Sequence, residues 1–126
     1  MKRVVGLGGI FFKSKDPQAL RAWYSKHLGI NAEEWGSQFF WKDVEAEQLQ
    51  GYNVWSPFKE TTSYLSPSEK PYMINFIVAD LYALLAALRE EGVHVFDKVD
   101  DSEYGKFGWI LDPEGTKIEL WEPPRE

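Results

Sequence analysis

Apolar residues recur along this chain with two different spacings. In one stretch, Ile74, Phe76 and Val78 occupy every second position, which predicts a β-strand with one buried face. In the stretch 81–88 that follows, leucines recur three or four residues apart, which predicts an amphipathic helix. Asp80 precedes that stretch, and aspartate is a residue type that commonly caps the start of a helix.

The first half of the chain repeats this pattern. When the sequence is shifted on itself by 64 residues, six of the 13 positions from 10 to 22 are identical, whereas about one identity is expected by chance. The identical pairs are Ile10 and Ile74, Phe12 and Phe76, Asp16 and Asp80, Ala19 and Ala83, Leu20 and Leu84, and Ala22 and Ala86. A shift of about half the chain indicates two copies of one structural module.

Each copy is predicted to contain the same order of elements. In the first copy, Asp16 and Pro17 begin a helix that ends at Gly29. Short strands follow each helix, at 31–35, 38–42 and 51–56 in the first copy and at 93–97, 107–111 and 116–121 in the second. Residues 57–71, rich in Pro, Ser and Thr, link the copies. The predicted order is βαβββ–βαβββ in a single domain, 1–126, with module one at about 1–58 and module two at about 70–122.

Two stretches carry a resemblance to a known family. Residues 16–29 contain D…WY…LG, and residues 112–120 contain DPEG…IEL. Their order and duplication resemble the vicinal oxygen chelate superfamily, which includes glyoxalase I, the bleomycin-resistance and fosfomycin-resistance proteins and the extradiol dioxygenases. The resemblance implies an α+β fold in which two tandem βαβββ modules form a curved mixed sheet with a concave cleft and with helices on the outside. It also implies a homodimer.

The resemblance further implies four metal-ligand positions, one on the first and one on the last strand of each module. In this chain those positions hold Gly9, Trp55, Met73 and Glu119. Only Glu119 carries a side chain that suits the divalent cations of such sites, which need several converging ligands. We therefore predict no metal site and no cofactor. A divalent metal is not excluded, because carboxylates at other positions or a partner subunit could supply further ligands.

The absence of Cys and the low number of His support the same prediction. The chain has no Cys, which excludes disulfide scaffolds, Cys-ligated zinc, iron–sulfur clusters and thiol nucleophiles. Its two histidines are His27, in the last turn of the first predicted helix, and His94, on the strand after the second. We expect both at the surface or at the rim of the cleft.

The net charge and the hydropathy of the chain limit the classes of binding partner. The 14 Lys and Arg residues against 20 Asp and Glu give a net charge of −6, which argues against a grip on a nucleic-acid backbone. No apolar run approaches the roughly 18 residues of a membrane span. The apolar stretch 4–12 continues into the polar stretch 13–16 without a small-residue cleavage site, so we expect a strand of a cytoplasmic protein and not a signal peptide. The expected partner is a small molecule, with no nucleic acid and no membrane.

Aromatic residues are abundant, with 6 Trp, 6 Tyr and 8 Phe, and the predicted strands divide them between two faces. The helix-facing core is predicted to take Phe12, Trp23, Tyr24 and Phe76. Alternation, together with the resemblance for the strand before the last hairpin, assigns a second set to the cleft. The predicted ligand-binding residues are Phe11, Phe40, Asn53, Trp55, Met73, Asn75, Tyr104, Trp109 and Trp121. Alternatively, these aromatics fill a closed sheet or a dimer seam.

Tyr104 enters that set through the loop that carries it. The acidic stretch 97–103 precedes Tyr104 and Gly105. It is either a solvated loop or a mobile lid in which Tyr104 contacts the ligand and Gly105 is the hinge.

Glu119 is the candidate catalytic residue, because a carboxylate among aromatic rings can act as a general base or acid. Alternatively it is a structural carboxylate paired with Lys106 or Lys117. Two functions from different classes remain. One is a binding module that holds a small aromatic or cationic molecule without the usual metal site. The other is a lyase or isomerase that uses Glu119 as general base on a small carbonyl compound, with or without a metal, so whether the chain is an enzyme stays open.

Overall fold

The computed structural model describes residues 10, 14–34, 36–37, 39 and 60–124 of the chain. Within these residues it contains two helices and a mixed sheet of five strands. The helices are α1 (Pro17–Leu28) and α2 (Leu81–Glu90). The strands are β1 (Ile74–Ile77), β2 (His94–Val95), β3 (Asp100–Ser102), β4 (Gly105–Leu111) and β5 (Lys117–Glu122). The predicted α+β fold class is confirmed.

The strand order places β5 in the middle of the sheet, between β1 and β4. β1 runs parallel to β5, with Asn75 opposite Glu119. β4 runs antiparallel to β5, with Trp109 opposite Glu119. Because directly opposed residues project from the same face of a sheet, this register brings Asn75, Trp109 and Glu119 together.

The predicted first module falls largely outside the described residues, and this includes the predicted strands at 51–56 and, apart from residue 39, at 38–42. The strand predicted at 31–35 is wrong over its described part, because Glu33 and Gly36 instead form an isolated bridge around a turn. Gly36 has a φ of +129°, which a glycine adopts readily. The tandem modules and their boundaries stay a prediction.

Both helices begin at the predicted capping aspartates. The Asp16 side chain accepts a hydrogen bond of 3.1 Å from the N–H of Ala19. The Asp80 side chain accepts a bond of the same length from the N–H of Ala83. α1 ends at Gly29, whose φ of +68° is left-handed and therefore favours glycine.

The two helices cover one face of the sheet. The fully buried core residues are Leu81, Leu85, Leu88, Ile110, Ile118 and Leu120. Each such side chain stabilises the fold by about 1.5–3 kcal/mol relative to exposure. Trp23 and Phe76 pack against this core as predicted, whereas Phe12 lies outside the described residues. Gly108 on β4 lets α2 approach, since a Cβ there would lie 3.0 Å from the Leu85 side chain.

A buried tyrosine ties α1 to the hairpin between β4 and β5. The Tyr24 hydroxyl donates to Asp112 Oδ2 at 3.0 Å. Asp112 Oδ1 accepts from the backbone N–H groups of Glu114 and Thr116, which closes the turn. Burial, followed by the negative charge of Asp112, raises the pKa of Tyr24 well above its ordinary value. Its hydroxyl therefore stays protonated and keeps donating.

The acidic stretch differs from the loop expected at 97–103. Asp100–Ser102 forms β3, which pairs antiparallel with β4 and places Ser102 opposite Gly105. The strand is short, polar and largely exposed, so it lacks the apolar alternation by which strands are predicted. Acidic side chains on an exposed edge strand also oppose pairing with other chains.

Candidate functional site

The sheet face turned away from the helices carries aromatic rings together with a few polar groups. These residues alternate along β4 and β5 with the core residues at 110, 118 and 120. We call this surface the aromatic face, and its residues are Asn75, Phe96, Phe107, Trp109, Lys117, Glu119 and Trp121.

Glu119 lies at the centre of the aromatic face and is 8% exposed. Its Oε1 accepts a hydrogen bond of 2.7 Å from the amide nitrogen of Asn75. Its Oε2 accepts one of 2.9 Å from the indole nitrogen of Trp109 and another from the hydroxyl of Tyr64. A buried carboxylate needs such donors, and three of them hold this one in a fixed orientation.

Tyr64 covers the carboxylate from outside the sheet. It belongs to the described part of the link, 60–71, where there is no helix or strand. Its ring meets the Trp109 ring edge-on, with centroids 6.1 Å apart and planes at 86°. Burial, followed by the hydrogen bond to Glu119, raises the pKa of Tyr64, so the phenol stays protonated.

Lys117 adds a positive charge beside the same rings. Its Nζ lies 5.3 Å from the ring centroids of Tyr64 and Phe96 and 5.6 Å from that of Trp109. The ammonium donates to the backbone carbonyl of Tyr64 at 2.6 Å. Burial lowers the pKa of Lys117, and the charge of Glu119 acts in the opposite direction.

Lys106 and Lys117, the two lysines considered as partners of Glu119, bond to other groups. Lys106 lies 3.6 Å from Glu122, whose other carboxylate oxygen accepts from the N–H of Leu81 at the start of α2. Lys117 donates to the Tyr64 carbonyl, as described above. Among the described residues, the direct donors to Glu119 are thus the uncharged groups of Tyr64, Asn75 and Trp109.

Apart from Tyr104, the predicted site residues fall into three groups. The structure brings Asn75, Trp109 and Glu119 together. Met73 is half-buried next to the start of β1, and Trp121 lies farther along β5, where its ring stacks on Phe107 with centroids 6.0 Å apart. The residues that lie outside the described part of the chain are Phe11, Phe40, Asn53 and Trp55.

Tyr104 does not join the group around Glu119. It lies in the turn between β3 and β4 with its side chain 63% exposed. Its backbone carbonyl accepts a 2.9 Å hydrogen bond from the indole nitrogen of Trp121. The lid role of Tyr104 stays a prediction.

Sequence patterns missed Tyr64. The link around it is rich in Pro, Ser and Thr and has no apolar periodicity, so nothing there predicts a side chain at the sheet. The available signal was a large aromatic residue in an otherwise polar link, and that signal does not identify a partner.

Comparison with known proteins gives the family. The model of the glyoxalase-like domain matches residues 9–121, which is most of the chain. The chain belongs to the glyoxalase-like domain family. This agrees with the resemblance to the vicinal oxygen chelate superfamily that the sequence motifs carry. Among curated proteins nothing matches.

Two solved structures are similar to this glyoxalase-like domain over part of its length. One is TnmS3, an antibiotic binding protein from Streptomyces sp. CB03234, with 29% identity and a TM-score of 0.39 over 43% of this chain and 45% of that one. The other is a glyoxalase family protein from Enterococcus faecalis, with 29% identity and a TM-score of 0.37 over 52% of each chain. The match thus spans about half the length of either structure.

The residues of this glyoxalase-like domain do not fit a divalent cation at the family position. Glu119 already accepts one hydrogen bond at Oε1 and two at Oε2, so the donors leave about one acceptor site for a cation. Across the described residues, no three His, Asp or Glu side chains converge as a ligand set. That the domain works without a metal stays a prediction. No helix in the described part of the chain is long and apolar enough to cross a membrane.

Proposed function

We propose that this glyoxalase-like domain binds a small organic molecule on its aromatic face, with Glu119 as the polar anchor and without a metal ion. The observation that carries the proposal is a carboxylate, 8% exposed, that is oriented by three uncharged donors among aromatic rings. A mostly apolar surface with a few fixed polar groups is typical of small-molecule sites.

The chemistry of the face favours an aromatic ligand. Tyr64, 39% exposed, meets the buried Trp109 ring edge-on, so an aromatic ligand would stack on Tyr64 or take its place beside Trp109. Glu119 favours a group that donates a hydrogen bond or carries positive charge. A cation on these rings, however, would meet the Lys117 ammonium already beside them.

An enzymatic role for Glu119 makes a different demand on the same residues. A general base must take a proton from its substrate, but Glu119 Oε2 already accepts from Tyr64 and Trp109. A lyase or isomerase would have to take that proton at Oε1, which accepts from Asn75 alone, or at Oε2 after Tyr64 has been displaced. The missing ligand side chains at positions 9, 55 and 73 favour binding over metal-assisted chemistry, and turnover of small carbonyl compounds is the direct alternative.

Ligand titration tests the proposal. Wild type, Glu119→Gln and Trp109→Phe are titrated with a panel of neutral and cationic aromatic compounds, and binding is followed by tryptophan fluorescence. We expect saturable binding to wild type and about tenfold weaker binding to Glu119→Gln, because a charge-assisted hydrogen bond is lost. Tyr82→Phe, whose ring is 50% exposed on α2, is the matched control.

Three results would contradict the proposal. The first is the absence of saturable binding by every member of the panel. The second is binding that requires one equivalent of nickel, zinc, manganese or iron and disappears with a chelator. The third is turnover of a carbonyl compound that Glu119→Gln abolishes. The implied homodimer is a separate prediction, which light scattering on the same samples checks.

A further inference from the structure

We propose that the Tyr64 side chain occupies the ligand's own place, and that the ligand is a neutral phenol that displaces it. This inference rests on the proposed function, since it concerns the same aromatic face. It adds the chemical class of the ligand and the event that opens the site.

The contacts of Tyr64 define what the place recognises. Its hydroxyl donates to Glu119, its ring meets Trp109 edge-on, and the Lys117 ammonium lies 5.3 Å from its ring centroid. A free phenol offers the same donor, the same ring edge and the same ring face. The place occupied by the Tyr64 side chain therefore has the contacts that a phenol requires.

Tyr64 is also the outermost layer of this group. It is 39% exposed, whereas Glu119 is 8% and Trp109 is 4% exposed. Its neighbours at 60–63 and 66–67 are exposed as well, and the backbone bonds of the link are local, such as the one from Ser66 to Ser63. Turning the Tyr64 side chain out breaks its bond to Glu119 and its contact with Trp109, whereas opening the sheet would also break the pairing of β4 with β5.

Charge on the face selects the protonation state of the ligand. Tyr64 remains a protonated donor because burial and the hydrogen bond to Glu119 raise its pKa. A phenolate has no proton to donate and would place a negative charge against the Glu119 carboxylate. An arene without a hydroxyl would leave Oε2 with one donor fewer. A cationic arene would be repelled by the Lys117 ammonium. A neutral phenol is therefore the ligand compatible with Glu119, Trp109 and Lys117 together.

Removing the internal competitor tests the inference. Tyr64→Ala and the exposed control Tyr82→Ala are titrated by calorimetry with p-cresol, which is the tyrosine side chain without its backbone. Parallel titrations use 4-methylanisole, in which a methyl group replaces the hydroxyl proton, and 4-nitrophenolate, which is ionised.

We expect p-cresol to bind Tyr64→Ala about tenfold more tightly than wild type, because no side chain has to be displaced. Methylanisole and nitrophenolate should bind that variant about tenfold more weakly than p-cresol, since each lacks the donor. Tyr82→Ala should behave as wild type. Tyr64→Phe keeps the ring and loses the hydroxyl, and it should also bind p-cresol more tightly than wild type. This second variant decides the matter if Tyr64→Ala does not fold.

The outcomes separate this inference from the proposed function. The phenol inference is overturned if p-cresol binds the Tyr64 variants no more tightly than it binds wild type. It is also overturned if the Tyr64 variants bind p-cresol no more tightly than they bind 4-methylanisole. If cationic aromatics still saturate wild type in that case, the proposed function survives. If no probe binds any folded variant, both are overturned.

Discussion

Replacing Tyr24 by phenylalanine removes one hydroxyl from the junction between α1 and the hairpin. Tyr24 is 7% exposed and Asp112 is 6% exposed, so water cannot readily replace the lost donor. The ring keeps its edge-on contact with Phe76, at a centroid distance of 6.1 Å. The substitution therefore reports on the hydrogen bond to Asp112 and leaves the packing in place.

The expected loss follows from the charge and burial of the acceptor. A hydrogen bond to a charged group contributes about 1.5–3 kcal/mol, and leaving one partner buried adds to the cost of losing it. Asp112 keeps its two backbone donors at 2.8 and 3.0 Å, so the turn itself should survive. We expect Tyr24→Phe to lower the free energy of unfolding by about 2 kcal/mol near neutral pH.

Alkaline pH supplies a second signature of the same bond. Because the folded-state pKa of Tyr24 is raised, both states are protonated below about pH 10 and its stabilisation is complete there. Above about pH 10 the unfolded tyrosine ionises while the folded one does not, so stability falls by about 1.4 kcal/mol per pH unit for this residue. Tyr24→Phe lacks this fall, and its deficit should shrink as the pH rises.

Urea unfolding followed by tryptophan fluorescence and circular dichroism measures both effects. The midpoint should shift while the slope stays unchanged. Tyr82→Phe, on the exposed side of α2, is the matched control and should remain within about 0.5 kcal/mol of wild type. A loss below about 0.5 kcal/mol for Tyr24→Phe, or a deficit that does not change with pH, would refute the buried bond.

Three further substitutions test the packing and the caps by the same unfolding assay. Gly108→Ala places a methyl group 3.0 Å from the Leu85 side chain and should lower the free energy of unfolding by about 1–3 kcal/mol. Unchanged stability would contradict the tight packing of α2 on β4. Gly105→Ala should cost about 3 kcal/mol, because φ is +115° and a Cβ would lie 2.4 Å from the Glu122 carbonyl; wild-type stability would contradict this close approach. Asp80→Ala should cost about 1 kcal/mol with a loss of helical ellipticity, and an unchanged helix signal would contradict its role as cap.

The second half of the chain could be predicted from sequence because its pattern and its structure depend on local rules. The α2 helix has a capping aspartate and leucines at helical spacing. The hairpin before β5 has turn residues that bond their own backbone, as Asp112 does. β3 has neither signal, since the polar residues Asp100–Ser102 form a strand only because β4 offers an edge to pair with.

The candidate site divides in the same way. Alternation assigns Asn75 and Glu119 to one face and the family resemblance adds Trp109, and the strand register places all three on the same face. Tyr64 reaches them across 55 residues of sequence from a segment without periodicity. Its position depends on where the link crosses the sheet, which is a property of the assembled fold and not of any local pattern.

The family ligand position and the hydrogen-bond network compete for the same two oxygens. Oε1 of Glu119 accepts from Asn75, and Oε2 accepts from Trp109 and Tyr64, so three of about four acceptor sites are filled and a cation that takes Oε2 would displace a donor. A displaced Trp109 would leave its indole nitrogen buried and unpaired, which costs about 1–3 kcal/mol, whereas a displaced Tyr64, 39% exposed, could reach water. The other three ligand positions that the resemblance implies hold Gly9, Trp55 and Met73, whose side chains are not ligands for a hard cation. We therefore expect Glu119 to bind a hydrogen-bond donor and not a metal ion, and the titrations with and without a chelator check this expectation.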